Sequence, residues 1–509
     1  MSLLRICIVL FFIAASSAVA GESGAMDLFV STNGDDAGDG RDPAKPLRTI
    51  GRAWDIASAN SEIACRILLL PGTFPLDESR NNSFGGQKRK PGKALRVEAA
   101  NGPDTVKILG GLNLANCDNL EISNLTLLAG GKNPACTDNV LHLENCRNVI
   151  LKGLALAGPG PGGNIQEVLK INQCGSLLIE KCDISGSFQA GVDLFAVRNV
   201  RVLGNRIHNA GEWGMYVKGG SAYLRMEANE IYNCGLGFQA GEGSTFEVME
   251  PPFIHYECYD VKFVNNILRD IRGTGIGVAG GYNVLLAYNT LYKVATDSGN
   301  GYPFLRLAFG TRSCFEASEN GEDNAEKNSR GYLRMGGWGP ARLEESLEMI
   351  PNRNVFVFNN IFCNPAPLKT LYAPFDCAAT AEPPKGSNIP SPARADANLR
   401  IEGNLLINGE TSAELGIGQA EGGGEALLRK TNSVLSERPL FANPARGDFH
   451  PLQTFPTVKI PDFSWNDAPA SPRVPEGDVR NAITRDSSGT ERTGCDSPGA
   501  FARTKSSAD

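Results

Sequence analysis

The sequence predicts an all-β fold in which one elongated parallel β-helix takes up most of the 509 residues. Two observations lead to this prediction. Short stretches alternate apolar and polar residues, as β-strands do, and a seven-residue motif recurs at a step close to one turn of a parallel β-helix. Three ordinary domains would also account for the length, but a recurring step favours a single coil.

The recurring motif is an Asn, an apolar residue, any residue, a second apolar residue, two further residues and a second Asn. Copies begin at Asn119, Asn148, Asn199, Asp260, Asn283, Asn354 and Asn398, and the last five of these carry the second Asn. The first apolar positions are 120, 149, 177, 200, 224, 261, 284, 355 and 399, which gives a base step of 23 to 24 residues with insertions. A β-sandwich is the rival interpretation, but its hairpins do not generate such a step.

The residue types at the corners fit stacked turns. Asn tolerates the left-handed backbone that a corner demands, and its side-chain amide can form a ladder between turns. Cys117, Cys146 and Cys174 precede strands at spacings of 29 and 28 residues, which predicts an interior ladder of thiols rather than disulfides. The sequence has no Cys and His spacing typical of a zinc site.

The beginning of the chain resembles an export signal. Residues 1–20 contain one basic residue, an apolar core and the ending Ala18-Val19-Ala20, which predicts a signal peptide cut before Gly21. We therefore expect a secreted or periplasmic protein. No later segment is long and apolar enough to span a bilayer, so no membrane association is expected after cleavage.

The rest of the chain divides into three regions. Residues 26–110 are expected to form an N-terminal cap and the first turns, with a helix at 50–57 that plugs the open end of the coil. Residues 111–410 are expected to form the β-helix, with about 9–12 turns in all. Residues 411–509 are expected to form an irregular C-terminal cap and tail, because the motif fades and Pro becomes frequent there.

The charge of the chain limits its partners. The formal net charge is −7, and Lys and Arg are scattered along the sequence. Nucleic acids require a concentrated basic surface, so they are not expected as ligands. We expect the protein to be a monomer.

The phase of the repeat aligns outward side chains from successive turns. One column is His142, Lys170, Asp193, Tyr216 and Gln239, and its neighbour is Glu144, Asn172, Phe195, Lys218 and Gly241. Because adjacent turns lie about 4.8 Å apart, these side chains are expected to form one solvent-facing strip that can hold a ligand. The alternative is an ordinary solvated face with a weak ladder of ion pairs.

Four further residues near the strip have two interpretations each. Trp213 either stacks on a sugar ring or packs at a corner. Glu242 and Glu257 either line a cleft or lie in a solvated loop, and Arg306 either extends the same face or is an isolated surface residue.

Several segments resemble a known group of proteins. Residues 29–36, 46–50 and 70–74 are similar to the N-terminal region of secreted right-handed parallel β-helix proteins, which include the family nine polysaccharide lyases. Residues 213–218, with the sequence WGMYVK, resemble the segment that carries the catalytic Lys in those lyases. The resemblance implies a right-handed β-helix and cleavage of an acidic polysaccharide by β-elimination.

The resemblance also implies roles for the strip. Lys218 would be the base and Tyr216 or His142 the proton donor. The implied substrate-binding residues are Lys170, Trp213, Gln239, Glu242 and Arg306. A lysine base needs a lowered pKa, which a neighbouring cation would provide.

Calcium is a further implication of the resemblance. The related lyases hold calcium with a cluster of Asp residues upstream of the Lys. Here only Asp193, Asp183 and Glu167 are available as ligands, so the cluster is less dense than in the family.

Two other functions fit the same scaffold. One is a glycoside hydrolase with paired carboxylates, such as Asp193 with Glu144 or Glu242. The other is a carbohydrate-binding solenoid without catalytic activity.

Overall fold

The chain winds into a parallel β-helix. The computed structural model describes residues 24–129, 138–245, 248–297, 299, 301–313, 337–338, 349–383, 387–417, 424–436, 438, 440–463, 480–492 and 497–502. Within these residues, three parallel sheets run along the coil, and each regular turn contributes one strand to each sheet. The predicted signal peptide, residues 1–20, lies outside the described residues.

The first two sheets contain twelve strands each. Sheet I consists of β1 (Met26–Val30), β2 (Cys65–Leu69), β5 (Leu95–Ala99), β8 (Asp118–Ser123), β11 (Arg147–Lys152), β14 (Gly175–Glu180), β17 (Arg198–Leu203), β20 (Ser221–Glu227), β24 (Cys258–Val264), β27 (Gly281–Ala287), β31 (Arg353–Phe358) and β34 (Arg400–Glu402). Sheet II consists of β3 (Gly72–Phe74), β6 (Val106–Leu109), β9 (Thr126–Leu128), β12 (Ala155–Ala157), β15 (Asp183–Ser185), β18 (Arg206–His208), β21 (Glu230–Tyr232), β25 (Ile267–Ile271), β28 (Thr290–Val294), β32 (Ile361–Asn364), β35 (Leu405–Asn408) and β36 (Ser433–Val434).

The third sheet contains ten strands. Sheet III consists of β4 (Ser83–Gly85), β7 (Leu112–Ala115), β10 (Asn139–Glu144), β13 (Glu167–Asn172), β16 (Ala190–Phe195), β19 (Trp213–Lys218), β22 (Leu236–Gly241), β26 (Ile276–Ala279), β29 (Leu305–Ala308) and β33 (Phe375–Cys377). Two short pairs lie outside the three sheets: β23 (Gly243–Thr245) with β30 (Thr311–Ser313), and β37 (Phe441–Asn443) with β38 (Asp448–Pro451).

The register confirms the repeat that the sequence predicted. Val149 pairs with Leu120 on one side and Leu177 on the other, and Val284 pairs with Val261 and Val355. All of these side chains are buried in the axial core. The first apolar residue of each motif therefore occupies equivalent inward positions on successive turns.

The two Asn residues of the motif have different tasks. The first Asn adopts left-handed backbone angles, with φ of 54° at Asn148, 55° at Asn199 and 56° at Asn283. Asn carries this conformation at less cost than most residues because its short polar side chain makes local hydrogen bonds. This Asn therefore allows the chain to turn into each strand of sheet I.

The second Asn forms the predicted amide ladder between sheets I and II. The ladder contains Asn205, Asn229, Asn266, Asn289, Asn360, Asn404 and Asn432. At one step, the backbone N and Nδ2 of Asn266 both donate to Oδ1 of Asn289, at 2.9 and 3.1 Å. Since Asn266 and Asn289 are fully buried, the ladder satisfies polar groups that water cannot reach.

The predicted thiol ladder is also present. The backbone N–H of Cys117 donates to Sγ of Cys146 at 3.5 Å, and that of Cys146 donates to Sγ of Cys174 at 3.1 Å. All three residues are buried and carry free thiols. They fill the corner between sheets III and I and form no disulfides.

A helix covers the first turn, as predicted. Helix α1 (Ile50–Ala59) begins after Thr49, whose side chain accepts a hydrogen bond from the backbone N–H of Arg52 at 3.1 Å. Ala53, Trp54 and Ala57 are buried against the core. No helix in the described part of the chain has the length and apolar character that a bilayer crossing needs.

The C-terminal region both closes the coil and covers its side. Helix α2 (Gly424–Thr431) is followed by Asn432, whose Nδ2 donates to the carbonyl of Ile401 at 2.8 Å. A 3₁₀ helix (Pro444–Arg446) lies between β37 and β38. Residues 458–463 and 480–492 run back along sheet I, where Phe463 packs against the outward side chain of Phe356. Ala500, further along the chain, packs against sheet II. Phe463 belongs to the same apolar cluster as Leu285 and Ala287 of β27, so the end of this strand is buried on its outer face as well.

We expect Asn266→Ala to destabilise the coil strongly. The substitution removes buried side-chain hydrogen bonds to Asn229, Met226 and Asn289, at a cost of about 3 kcal/mol. Thermal unfolding followed by circular dichroism should show a lower Tm. The control Asn101→Ala changes an exposed turn residue and should leave Tm unchanged; equal Tm values for the two variants would contradict a stabilising ladder.

Candidate active site

Sheet III brings the predicted column together. In register, the outward residues are Asn113, His142, Lys170, Asp193, Tyr216, Gln239, Gly277, Arg306 and Asp376. In the neighbouring column, Phe195 pairs with Lys218. Arg306 therefore lies on the outer face of sheet III with the rest of the column, which agrees with the first of its two interpretations.

The prediction of a solvent-facing strip is wrong for part of the column. Asp193 is fully buried, and Tyr216 and Gln239 are each 7% exposed. Side chains on adjacent turns are only about 4.8 Å apart, so long neighbours cover the shorter ones. Gln239 illustrates this, because its Oε1 occupies the space that a β-carbon at Gly277 would need.

A buried cluster of one cation and two carboxylates lies at the centre of the strip. Nζ of Lys170 forms an ion pair with Asp193 and lies 3.6 Å from Oε1 of Glu167. Burial lowers the pKa of Lys170, Glu167 opposes this shift, and Lys218 adds to it. Asn139 donates to the other oxygen of Glu167 at 3.0 Å. Oδ1 of Asp193 has no hydrogen-bond partner among the described residues.

Lys218 lies over two aromatic rings. Its Nζ is 4.6 Å from the ring centroid of Tyr216 and 5.7 Å from that of Phe195. Nζ of Lys170 is 5.9 Å from the same Phe195 ring. The rings hold the two ammonium groups near each other by cation–π attraction, and the strip thereby presents two cations around Phe195.

The pKa values of the two predicted proton donors shift in opposite directions. Burial raises the pKa of Tyr216, and the nearby carboxylates Glu167, Glu242 and Glu212 raise it further. Tyr216 therefore keeps its proton at neutral pH. Burial lowers the pKa of His142, so its neutral form is favoured, although Glu144 opposes this shift. Tyr216 therefore carries a proton that it can donate, although its raised pKa also makes it a weaker acid.

Two acidic residues beside the strip differ in exposure. Glu257 is fully buried and accepts a hydrogen bond from the backbone N–H of Gly219 at 3.2 Å, while Ser244 donates to the same oxygen. Glu257 thus fixes the chain directly after Lys218. Glu242 is exposed at the rim, and desolvation raises its pKa against the opposing effect of Lys218.

Trp213 is half-buried at the start of β19. It has the same phase along the strand as Met215, which points into the core, and the opposite phase from Tyr216. This position fits its interpretation as a corner residue better than stacking within the strip.

The three predicted calcium ligands do not share one site. Asp183 lies on sheet II, where it contacts Arg206 at 3.1 Å and His208 at 2.9 Å. Asp193 and Glu167 lie on sheet III and face the ammonium group of Lys170. Among the described residues, no three His, Cys, Asp or Glu side chains form a group that could hold a metal ion. The arrangement does not fit calcium, because the ammonium group of Lys170 lies between these two carboxylates.

Residues 110–302 match a family model described as a right handed beta helix region. The chain folds as a right-handed parallel β-helix. This result confirms the fold class and the handedness that the sequence resemblance implied. No curated protein sequence matches the chain.

Three solved structures illustrate the likeness of this β-helix protein to others. XylC in complex with xylose is 10% identical with a TM-score of 0.47, covering 94% of this chain and 99% of that one. The A-module of the mannuronan C-5 epimerase AlgE6 from Azotobacter vinelandii is 12% identical with a TM-score of 0.43, covering 76% and 94%. Pectate lyase Pel9A is 12% identical with a TM-score of 0.35, covering 58% and 79%. These likenesses concern the fold alone.

Sequence reasoning missed two features of the site. It did not identify the contact of Asn139 with Glu167, which completes the buried cluster, or the role of Phe195 beneath both lysines. The aligned columns contained a signal for Phe195, because a single aromatic residue stood between polar ones. Asn139 carried no such signal, since it begins its strand outside the aligned quartet.

We expect Lys170→Met to destabilise the β-helix by about 3 kcal/mol or more, because it leaves the buried carboxylate of Asp193 without its counter-ion. The double variant Lys170→Met/Asp193→Leu should recover much of this loss. Thermal unfolding is the measurement, and Lys152→Met, which breaks an exposed pair with Glu180, is the control. Equal Tm values for the two single variants would argue against a buried ion pair.

Proposed function

We propose that this β-helix protein is an exported polysaccharide lyase that cleaves a uronic-acid-containing glycan by β-elimination on the strip of sheet III. The observation that carries the proposal is the position of Lys218, whose ammonium lies over Tyr216 and Phe195 and beside the second cation, Lys170. An acidic glycan is the substrate class that such a pair of cations favours.

β-Elimination requires three tasks at the substrate. The carboxylate of the uronate must be neutralised, the proton at C5 removed, and the departing O4 protonated. In the proposal, Lys170 faces the carboxylate from its place beside Phe195. Its own partners Asp193 and Glu167 hold it there, so the cation does not depend on a bound metal.

Lys218 and Tyr216 divide the proton transfers. Lys218 first releases a proton to solvent and then accepts the C5 proton, the electrons of that C–H bond form the C4–C5 double bond, and the C4–O4 bond breaks. The phenol of Tyr216 donates its proton to O4. Its raised pKa keeps this proton available before the bond breaks. Solvent then returns both groups to their starting forms.

We expect Lys218→Ala to reduce the release of unsaturated uronate by at least about 100-fold, because the base is lost. The assay incubates the protein with polygalacturonate, alginate and neutral glycans, and follows the new double bond by ultraviolet absorbance and the new reducing ends separately. Lys107→Ala changes an exposed lysine on sheet II and is the matched control. Activity should persist in the presence of a chelator.

Other outcomes would reject the proposal in distinct ways. Full activity of Lys218→Ala would reject Lys218 as the base. Reducing ends without double bonds would indicate a hydrolase with paired carboxylates. Binding of a glycan, with no product formed from any of the glycans tested, would indicate a carbohydrate-binding solenoid.

A further inference from the structure

A groove of about 730 Å³ lies on the outer face of sheet I, apart from the strip on sheet III. Strands β17, β20 and β24 form its floor, and Thr484 and Arg485 of the C-terminal segment form a wall. The groove therefore exists only because the C-terminal segment runs back along the coil.

Three cations stand next to one another on the floor of this groove. Arg201 is directly opposite Arg225 in the register, and Arg225 is directly opposite Lys262. Adjacent strands are about 4.8 Å apart, and like charges in directly opposed positions destabilise a sheet. Such a column needs either compensation within the protein or an anionic ligand.

The protein compensates this column only in part. Nε of Arg225 lies 2.7 Å from Glu227, and Nζ of Lys262 lies 3.6 Å from Asp260. Lys262 also donates to the carbonyl of Arg480 at 2.7 Å. Arg201 is exposed, and it has no ion-pair or hydrogen-bond partner among the described residues. The column thus ends in a cation that is open to a ligand.

The remaining lining suits sugar hydroxyls. Asn199 and Thr484 provide an amide and a hydroxyl that donate or accept hydrogen bonds, Tyr223 adds an aromatic ring, and the carboxylate of Glu227 lies beside Arg225. A chain of phosphates or a nucleic acid has few hydroxyls that could use these hydrogen-bonding groups. Cations combined with hydrogen-bonding partners for hydroxyls favour an acidic sugar chain.

We propose that this groove is a second, non-catalytic site that binds a linear acidic glycan, carrying carboxylates or sulfates, with its anionic groups at Arg201 and Arg225. The column follows the axis of the coil, so an extended chain can meet successive cations. The site does not depend on the proposed lyase reaction, because it lies on another sheet and uses none of the residues of the strip.

Isothermal titration calorimetry on the full chain tests the site. The titrants, used at low salt, are an oligogalacturonate, a heparin oligosaccharide and a neutral cello-oligosaccharide. Every protein tested carries the Lys218→Ala substitution, which prevents turnover of the ligand. Arg201→Glu should weaken acidic glycan binding by about tenfold or more, since it replaces a charge-assisted contact with repulsion. Arg52→Glu makes an equal charge change at an exposed residue of α1 and should leave the affinity unchanged.

The thermal stability of the same variants separates binding from folding. Arg201→Glu places an anion opposite Arg225, so its Tm in the absence of ligand should equal or exceed that of the parent. If Arg201→Glu loses affinity for both acidic oligosaccharides equally, the site accepts carboxylates and sulfates alike. If it loses affinity for only one of them, that oligosaccharide shows which of the two anionic groups the site binds. Unchanged affinity in Arg201→Glu, or binding of single-stranded DNA with no binding of acidic glycans, would overturn the proposal.

Discussion

The buried Asn ladder between sheets I and II is the interaction on which the rest of the molecule depends. Each turn of a parallel coil leaves backbone groups at its corners that water cannot reach, and these groups must bond to the next turn. The amides from Asn205 to Asn432 satisfy this demand, and they do so only when successive turns are in one register. This register makes a column of side chains, rather than a single strand, the unit of both packing and chemistry.

Both chemical surfaces follow from that stacking. On sheet III, the column places Lys170 directly between His142 and Asp193, and Lys170 forms an ion pair with the buried carboxylate of Asp193. On sheet I, the same stacking places Arg201, Arg225 and Lys262 in line, and the protein neutralises them only partly. Repeated turns bring similar charges together. The charges of such a column must therefore be paired within the protein or by a bound ligand of opposite charge.

Features that repeat with the period of the coil could be predicted from the sequence alone. The inward column through Val149 and Val284, the corner Asn residues and the outward column from His142 to Gln239 all followed from spacing. Features without that period could not be predicted. The burial of Asp193 depends on how the long side chains of neighbouring turns fold over it. The place of Asp183 on sheet II depends on which strand of its turn it joins, and the contact of Phe463 with Phe356 joins distant parts of the chain that share no motif.

A crystal structure of Lys218→Ala with a bound uronate oligosaccharide tests the central claim, that the strip of sheet III is where the chemistry takes place. We expect the oligosaccharide to lie along the column of Lys170 and Tyr216, with a uronate carboxylate near Lys170 and the adjacent C5 facing position 218. An empty strip at saturating ligand, with the oligosaccharide bound only on sheet I or sheet II, would contradict it.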